Sequence, residues 1–295
     1  MHRFLRSVGF SMYQKKQDIK KLLSELEKNT AVSQRMQIDQ ETNLTEIRVE
    51  TAPGMGLVMV GETDEQGGFK REYYYPYLKS PDLSSDAECS IQRHTEKETY
   101  AGLLDEYRVG ISLIFYLDNG FEYQERKLDD NSLQVESVYL AGLCTSGKIL
   151  LPLHKTKKQI EMARVAAKDR SSLLEAAKNG DEDAMETLTI EDIDMYSQIS
   201  RRVIKEDVYS IVDSSFMPCG IECDQYAVIG EIVQVEEKVN RVTEEKVYDL
   251  TLDCNDMVFH VGVAKQDLMG EPVVGRRFKG QIWMQGTVTF KNKSA

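Results

Sequence analysis

The hydrophobic period changes three times along the chain, and the changes divide it. From Lys15 to Asn29, Ile19, Leu22, Leu23 and Leu26 recur at helical spacing while Lys15, Lys16, Lys20 and Lys21 lie off that stripe, which predicts an amphipathic helix packed on a sheet. A period of two then takes over. Glu46-Ile47-Arg48-Val49 alternates and Leu57 to Val60 is a short apolar run. Gln66-Gly67-Gly68 then supplies the positive φ of a hairpin turn before a return strand from Phe69 to Tyr77. Further strands are predicted at Cys89 to Arg93, Val109 to Leu117, Leu133 to Leu143 and Lys148 to Leu153, the last two joined by a turn at Thr145-Ser146-Gly147. Residues 1–153 therefore read as an α+β domain, a mostly antiparallel sheet with a helix.

The helical period returns at His154. Met162, Ala166, Leu173 and Ala177 share one face between Thr156 and Lys178, and Asn179-Gly180 is a helix stop. Past Asp181-Glu182-Asp183, a short helix carries Ala184 and Leu188. Thr189 followed by Asp192 predicts a cap for a second run with Ile193, Tyr196, Ile199 and Val203. Residues 154–206 form a helical bridge on this reading.

Alternation resumes in residues 207–295. Strands are predicted at Val208 to Phe216, Tyr226 to Val235, Val247 to Leu252, Met257 to Val263 and Gln281 to Phe290. Glycine bends fall at Gly230 and Gly286, and one helical turn lies between Ala264 and Met269. Five or six short strands at this spacing predict a small Greek-key barrel of the oligonucleotide/oligosaccharide-binding type, or a β-sandwich. The overall class is α+β.

Size and charge narrow the picture. A chain of 295 residues exceeds what one core usually serves, and 41% hydrophobic residues can fill ordinary cores. The net charge of −12 opposes attraction to phosphate backbones and anionic lipid surfaces. The first ten residues lack the apolar block of a secretory signal, and no window reaches eighteen apolar residues, so no membrane association is expected. Five scattered cysteines, an odd number, read as reduced thiols and point to the cytoplasm.

The candidate chemistry is sparse. Cys219 and Cys223 lie near Asp224, but tetrahedral zinc needs a second ligand pair that the sequence lacks, so neither metal nor cofactor is expected. Cys144, between Gly142 and Gly147, reads as a strand end entering a turn and not as an activated thiol. Gly54-Met55-Gly56 with Gly61 reads as hairpin glycines, not a dinucleotide loop. The acidic run Asp181, Glu182, Asp183, Glu186, Glu191, Asp192 and Asp194 reads as a solvated helix face. Two sets are kept as weak binding candidates: Tyr73 and Tyr75 on one strand face with Tyr77, and Arg276, Arg277 and Lys279 beside Phe278 and Trp283. Packing and internal ion pairing are the competing explanations, and Trp283, alternating with Ile282 and Met284, reads as core.

Three segments carry a family resemblance: Met1-His2-Arg3-Phe4-Leu5-Arg6-Ser7-Val8-Gly9-Phe10-Ser11; Glu206 to Val212 and on through Phe216-Met217-Pro218-Cys219-Gly220 to Tyr226; and Gly270-Glu271-Pro272 through Gly275-Arg276-Arg277-Phe278-Lys279-Gly280 to Gly286. Over nearly its full length the chain resembles a family of anaerobic Gram-positive bacteria defined as a domain of unknown function. The resemblance implies a cytoplasmic bacterial protein and brings no catalytic residue with it. The leading expectation is a non-enzymatic binding or interaction module with a protein partner. A carboxylate-dependent hydrolase and single-stranded nucleic-acid binding by the C-terminal barrel are the alternatives; the first needs acidic side chains meeting in a cleft, the second needs Arg276, Arg277, Lys279 and exposed rings in one groove.

Overall fold

A computed structural model describes residues 2–37, 43–64, 66–95, 99–129, 132–153, 157–221 and 223–291. Met1 and Glu222 of the resemblance segments, and His154 and Thr156 at the start of the expected bridge, lie outside them. After a short 3-10 turn at Arg3–Val8, α1 (Lys16–Asn29) buries Ile19, Leu22 and Leu23 of its apolar stripe. Four strands follow, β1 (Gln34–Gln37), β2 (Asn43–Ala52), β3 (Met55–Thr63) and β4 (Phe69–Leu78). They pair antiparallel in chain order, so that Pro76 lies on an edge strand where its missing N–H costs no ladder bond.

A second, ten-stranded sheet takes most of the remaining chain. β5 (Cys89–Thr95), β6 (Thr99–Glu106) and β7 (Ile111–Leu117) pair antiparallel, α2 (Gly120–Asp129) follows, and β8 runs without interruption over Val135–Leu150. The helices α3 (Lys157–Lys178), α4 (Glu182–Val203) and α5 (Val208–Ile211) precede β9 (Ser215–Pro218), β10 (Gln225–Val239), β11 (Lys246–Cys254), β12 (Met257–Ala264), β13 (Leu268–Met269) and β14 (Arg277–Phe290). β10, β11 and β12 form an antiparallel meander. β12 then pairs parallel with β8, β8 pairs antiparallel with β14, and β14 pairs antiparallel with β10, so these five strands make a closed cycle of hydrogen-bonded neighbours.

The cycle departs from the expected boundary at residue 153, because β8 comes from the first half of the chain and lies between two strands of the second. The strands of residues 207–295 are therefore not a self-sufficient unit. Inside the cycle, Leu140, Val228, Leu250, Phe259, Phe278 and Met284 belong to one core. A second core joins the 3-10 turn, α1 and the first sheet to the outer face of the cycle, where Val8, Leu57, Tyr77, Leu143, Val247 and Trp283 meet.

Several local expectations change for identifiable reasons. Gly147 is no turn residue. It pairs with Gly280 in mid-strand, where a Cβ would lie 2.5 Å from the Phe278 ring, so the glycine allows close packing and β8 stays one strand. Val208–Ile211 is helical because Asp207 caps it, its carboxylate accepting from the Tyr209 N–H at 2.7 Å; the strand begins only at Ser215. The two short helices expected after Asp181 are a single α4, whose N-cap is Asp181, accepting from the Ala184 N–H. Thr189 bonds back to the Met185 carbonyl inside that helix and caps nothing.

Candidate functional site

The outward faces of β10, β11 and β12 carry a connected set of ionisable groups. Side chains alternate across each strand, so with Leu250, Phe259 and Val261 inside the cycle, Asp249, Thr251 and His260 point outward. His260 Nδ1 lies 2.8 Å from Asp249 Oδ1, and its Nε2 lies 2.9 Å from Asp82 Oδ2 on the connection between β4 and β5. Lys238 Nζ donates to Asp249 Oδ2 at 2.7 Å. Asp249 and Lys238 are 2% and 8% exposed, whereas the Asp82 side chain is 50% exposed, so the chain of charges runs from the interior to solvent.

Two carboxylates facing the two ring nitrogens require both nitrogens to donate, which favours imidazolium. Burial alone would lower the His260 pKa, but the hydrogen bonds and charges of Asp249 and Asp82 raise it above its usual value. Burial likewise opposes the Asp249 carboxylate, and His260 and Lys238 overcome it, holding its pKa below the ordinary range. In the imidazolium form neither ring nitrogen has a lone pair to accept a proton. The arrangement instead pins the segment after β4 to the cycle, close to where Ser84 and Ser85 donate their N–H groups to the Val138 carbonyl.

A second set lies between the sheets. Arg48 donates to both oxygens of Asp118, at 2.9 and 3.2 Å, and to Glu46, while its guanidinium sits over the Tyr77 ring. Glu46 is buried, and burial raises its pKa even though Arg48 opposes this. These carboxylates meet on an arginine and not in a cleft. Neither set lines the cavity of about 650 Å³ that opens between β5 and β8. Among the described residues there is no group of three or more His, Cys, Asp or Glu side chains placed to hold a metal, and all five cysteines are unpaired.

The family model described as "Domain of unknown function, E. rectale Gene description" (DUF3881) matches residues 5–286, from the 3-10 turn through both sheets and α3 and α4 into β14. The chain belongs to the DUF3881 family. No curated protein and no solved structure matches it.

In this DUF3881 protein the residues singled out from sequence separate into two places. Tyr73, Tyr75 and Trp283 come together in one aromatic run: Tyr73 stacks on Tyr75, Tyr75 meets the edge of Tyr116 at 4.8 Å, Tyr116 lies 5.4 Å from Trp283, and Trp283 stacks on Phe4. Tyr75 and Trp283 are buried, and the indole Nε1 donates to Asp224 at 2.6 Å, so the run is packing within the second core. Arg277 is buried elsewhere, donating to the backbone carbonyls of Leu151, Tyr209 and Val212. Arg276 donates to the Glu271 carbonyl, and Lys279 bonds the Tyr209 hydroxyl with its ammonium over the same ring. The cations and the exposed rings required for a nucleic-acid groove do not converge.

The buried charges of the DUF3881 fold were not visible as a motif. Asp82, Lys238, Asp249 and His260 lie on four separate segments, and polar residues at alternate strand positions ordinarily mean solvent. Here a second layer covers that face. The one available signal was a histidine at an outward position of an otherwise apolar strand, directly across from Thr251.

Burial holds two of the thiols of this DUF3881 protein in their protonated form. Cys144 is buried in mid-strand, and desolvation pushes its thiol up to about 12. Cys254 is raised to about 12 for the same reason. No helix among the described residues is long and apolar enough to cross a membrane.

Proposed function

We propose that this protein is a non-enzymatic interaction module of the cytoplasm and that α4 presents the contact surface for a protein partner. The carrying observation is the exposure of α4. Its buried residues are Ala184 and Leu188, while Ile190, Ile193, Tyr196 and Val203 are 55%, 63%, 76% and 46% exposed. Ile193, Tyr196, Ile199 and Val203, spaced three, three and four apart, form a stripe of the kind helices dock into partner grooves. Exposed apolar surface of this extent on a helix that contributes little to the core is costly unless it is covered part of the time.

The closed five-strand cycle supports a companion reading as a small barrel of the oligonucleotide-binding type, in which the closing strand precedes the meander instead of following it. The outward face of β11 and β12, which such barrels use for ligands, is occupied by Asp249, His260 and the Asp82 segment. Free surface on α4 therefore favours a protein partner over nucleic acid or a small molecule. Five unpaired cysteines suit a reducing compartment.

Incorporating a photo-crosslinking residue at Ile193 or Tyr196 in cells that make the protein tests this. Discrete adducts that disappear when Ile199 and Val203 are changed to aspartate, with melting unchanged, are expected. An unmodified monomer from both positions would remove α4 as a contact surface.

A further inference from the structure

Ser85 and Val138 form an isolated antiparallel bridge, beyond which β5 and the start of β8 diverge instead of pairing. The opening is the cavity of about 650 Å³, with Asp86 to Ile91 on one wall and Leu133 to Glu136 on the other. The β5 wall is the free edge of the sheet. The Glu88 carbonyl accepts from the Asp105 N–H on β6, so in an antiparallel ladder the backbone groups of Ser90 and Gln92 also face β6, and those of Cys89 and Ile91 face the cavity. On the other wall Val138 spends its N–H and C=O on the bridge, and the ladder of β8 with β14 is bulged between Ser137 and Val135, beyond which the Gln134 carbonyl accepts from the Lys291 N–H.

The slot has two chemically distinct faces. Cys89, Ile91, Leu133 and Val135 turn toward the core, over the rings of Tyr123 and Phe290, which stack 6.1 Å apart. Glu88, Ser90, Gln134 and Glu136 are exposed on the opposite face. The two lysines at the cavity are engaged, Lys127 on the Tyr123 hydroxyl and Lys291 on Gln134 Oε1. Lys178 stands 3.6 Å from Glu88, whose side chain is nevertheless 82% exposed. The charge left to meet a ligand is acidic.

We propose that this slot receives an extended peptide segment of a partner protein as an added strand, one with apolar side chains alternating with basic ones. The backbone edge of Cys89 and Ile91 would take its main chain, the Tyr123–Phe290 floor its apolar side, and Glu88 and Glu136 its basic side. A strand of five to seven residues, about 20 Å long, matches the free edge of β5. The surface is distinct from α4, and the proposal does not depend on the α4 reading.

The probe is a fluorescein-labelled heptapeptide of alternating lysine and valine, titrated by anisotropy into the full chain. Saturable binding is expected. It should weaken at least about tenfold when the peptide is N-methylated at alternate residues, when glutamate replaces its lysines, or when Glu88 and Glu136 are both changed to lysine. Ile91→Pro deletes only an N–H that faces the slot, so it should keep the β5–β6 ladder and the melting temperature while losing binding to the same degree. The variant Tyr196→Asp should bind as the wild type does, which separates this site from α4. No saturation by about 100 µM, or equal binding of the N-methylated or glutamate peptide, would overturn the proposal. Should Ile91→Pro not fold, the N-methylated peptide on the wild-type chain decides alone.

Discussion

His260 Nδ1 and Lys238 Nζ grip the two oxygens of one carboxylate, Asp249, at 2.8 and 2.7 Å. A single buried anion thus holds two buried cations together, and the three charges are tolerable only as a set. Asp249→Asn leaves two cations facing a neutral amide. The loss expected is about 3–5 kcal/mol, the usual result of removing one partner from a buried ionic group, read from denaturant unfolding. A loss below about 1 kcal/mol would mean that the lysine and histidine simply turn to water.

The same set gives stability a pH dependence of known sign. His260 has a raised folded pKa, so its contribution is complete below about pH 6.5 and disappears as pH rises through the folded value. Asp249 is depressed, so its contribution is present above about pH 3.9 and is lost as pH falls through its lowered folded value. The other groups facing the ring are Asp82, Thr251 and, through Asp249, Lys238 with Glu236 nearby. The melting temperature of the wild type should therefore fall more steeply than that of His260→Gln between pH 6 and pH 9. Parallel curves would contradict the imidazolium assignment.

Trp283 supplies a ring to the aromatic run and a hydrogen bond to Asp224. Trp283→Ala should cost about 3–5 kcal/mol, and Trp283→Phe about 1–2 kcal/mol, mainly the unpaired acceptor. A red-shifted native emission with little change in stability would place the indole in water instead.

Arg277 is a structural cation, satisfied by three carbonyls and displaced from any exposed groove. Arg277→Met should cost about 2–4 kcal/mol, since hydrogen bonds to a charged donor contribute about 1.5–3 kcal/mol each and the freed carbonyls regain some water. Anisotropy with mixed-sequence single-stranded DNA and RNA at about 150 mM salt should show no binding tighter than about 1 µM by the wild type. Tighter binding, abolished by charge reversal at Arg276 and Lys279 in a folded protein, would restore the nucleic-acid reading.

Where an element's reason is local, the sequence revealed it. The stripe of Ile19, Leu22 and Leu23, the hairpin around Gly67 and the stop at Gly180 all depend on neighbours within a few residues, and each lies where expected. What failed depends on partners far along the chain. Gly147 looks like a turn residue until Phe278 is known to lie against it, and β6 passes unnoticed because Gly102 breaks its apolar pattern. That glycine leaves room for the Phe115 ring, 2.1 Å from where a Cβ would stand. The buried charges follow the same rule: nothing near Asp249 in sequence announces that Asp82 and His260 will seal it. The proposed peptide slot is still less legible, being made by two strands that fail to meet.

The closure of the strand cycle by β8 also imposes an order on biosynthesis. When β8 leaves the ribosome, the two strands that will flank it, β12 and β14, have not been made. At roughly 5–20 residues per second, translation from Leu150 to Phe290 takes on the order of ten seconds. Until that interval ends, a sixteen-residue strand carrying Leu140, Leu143 and Cys144 lacks at least one of these two neighbours. The cycle can therefore close only once β14, the last strand among the described residues, has been made.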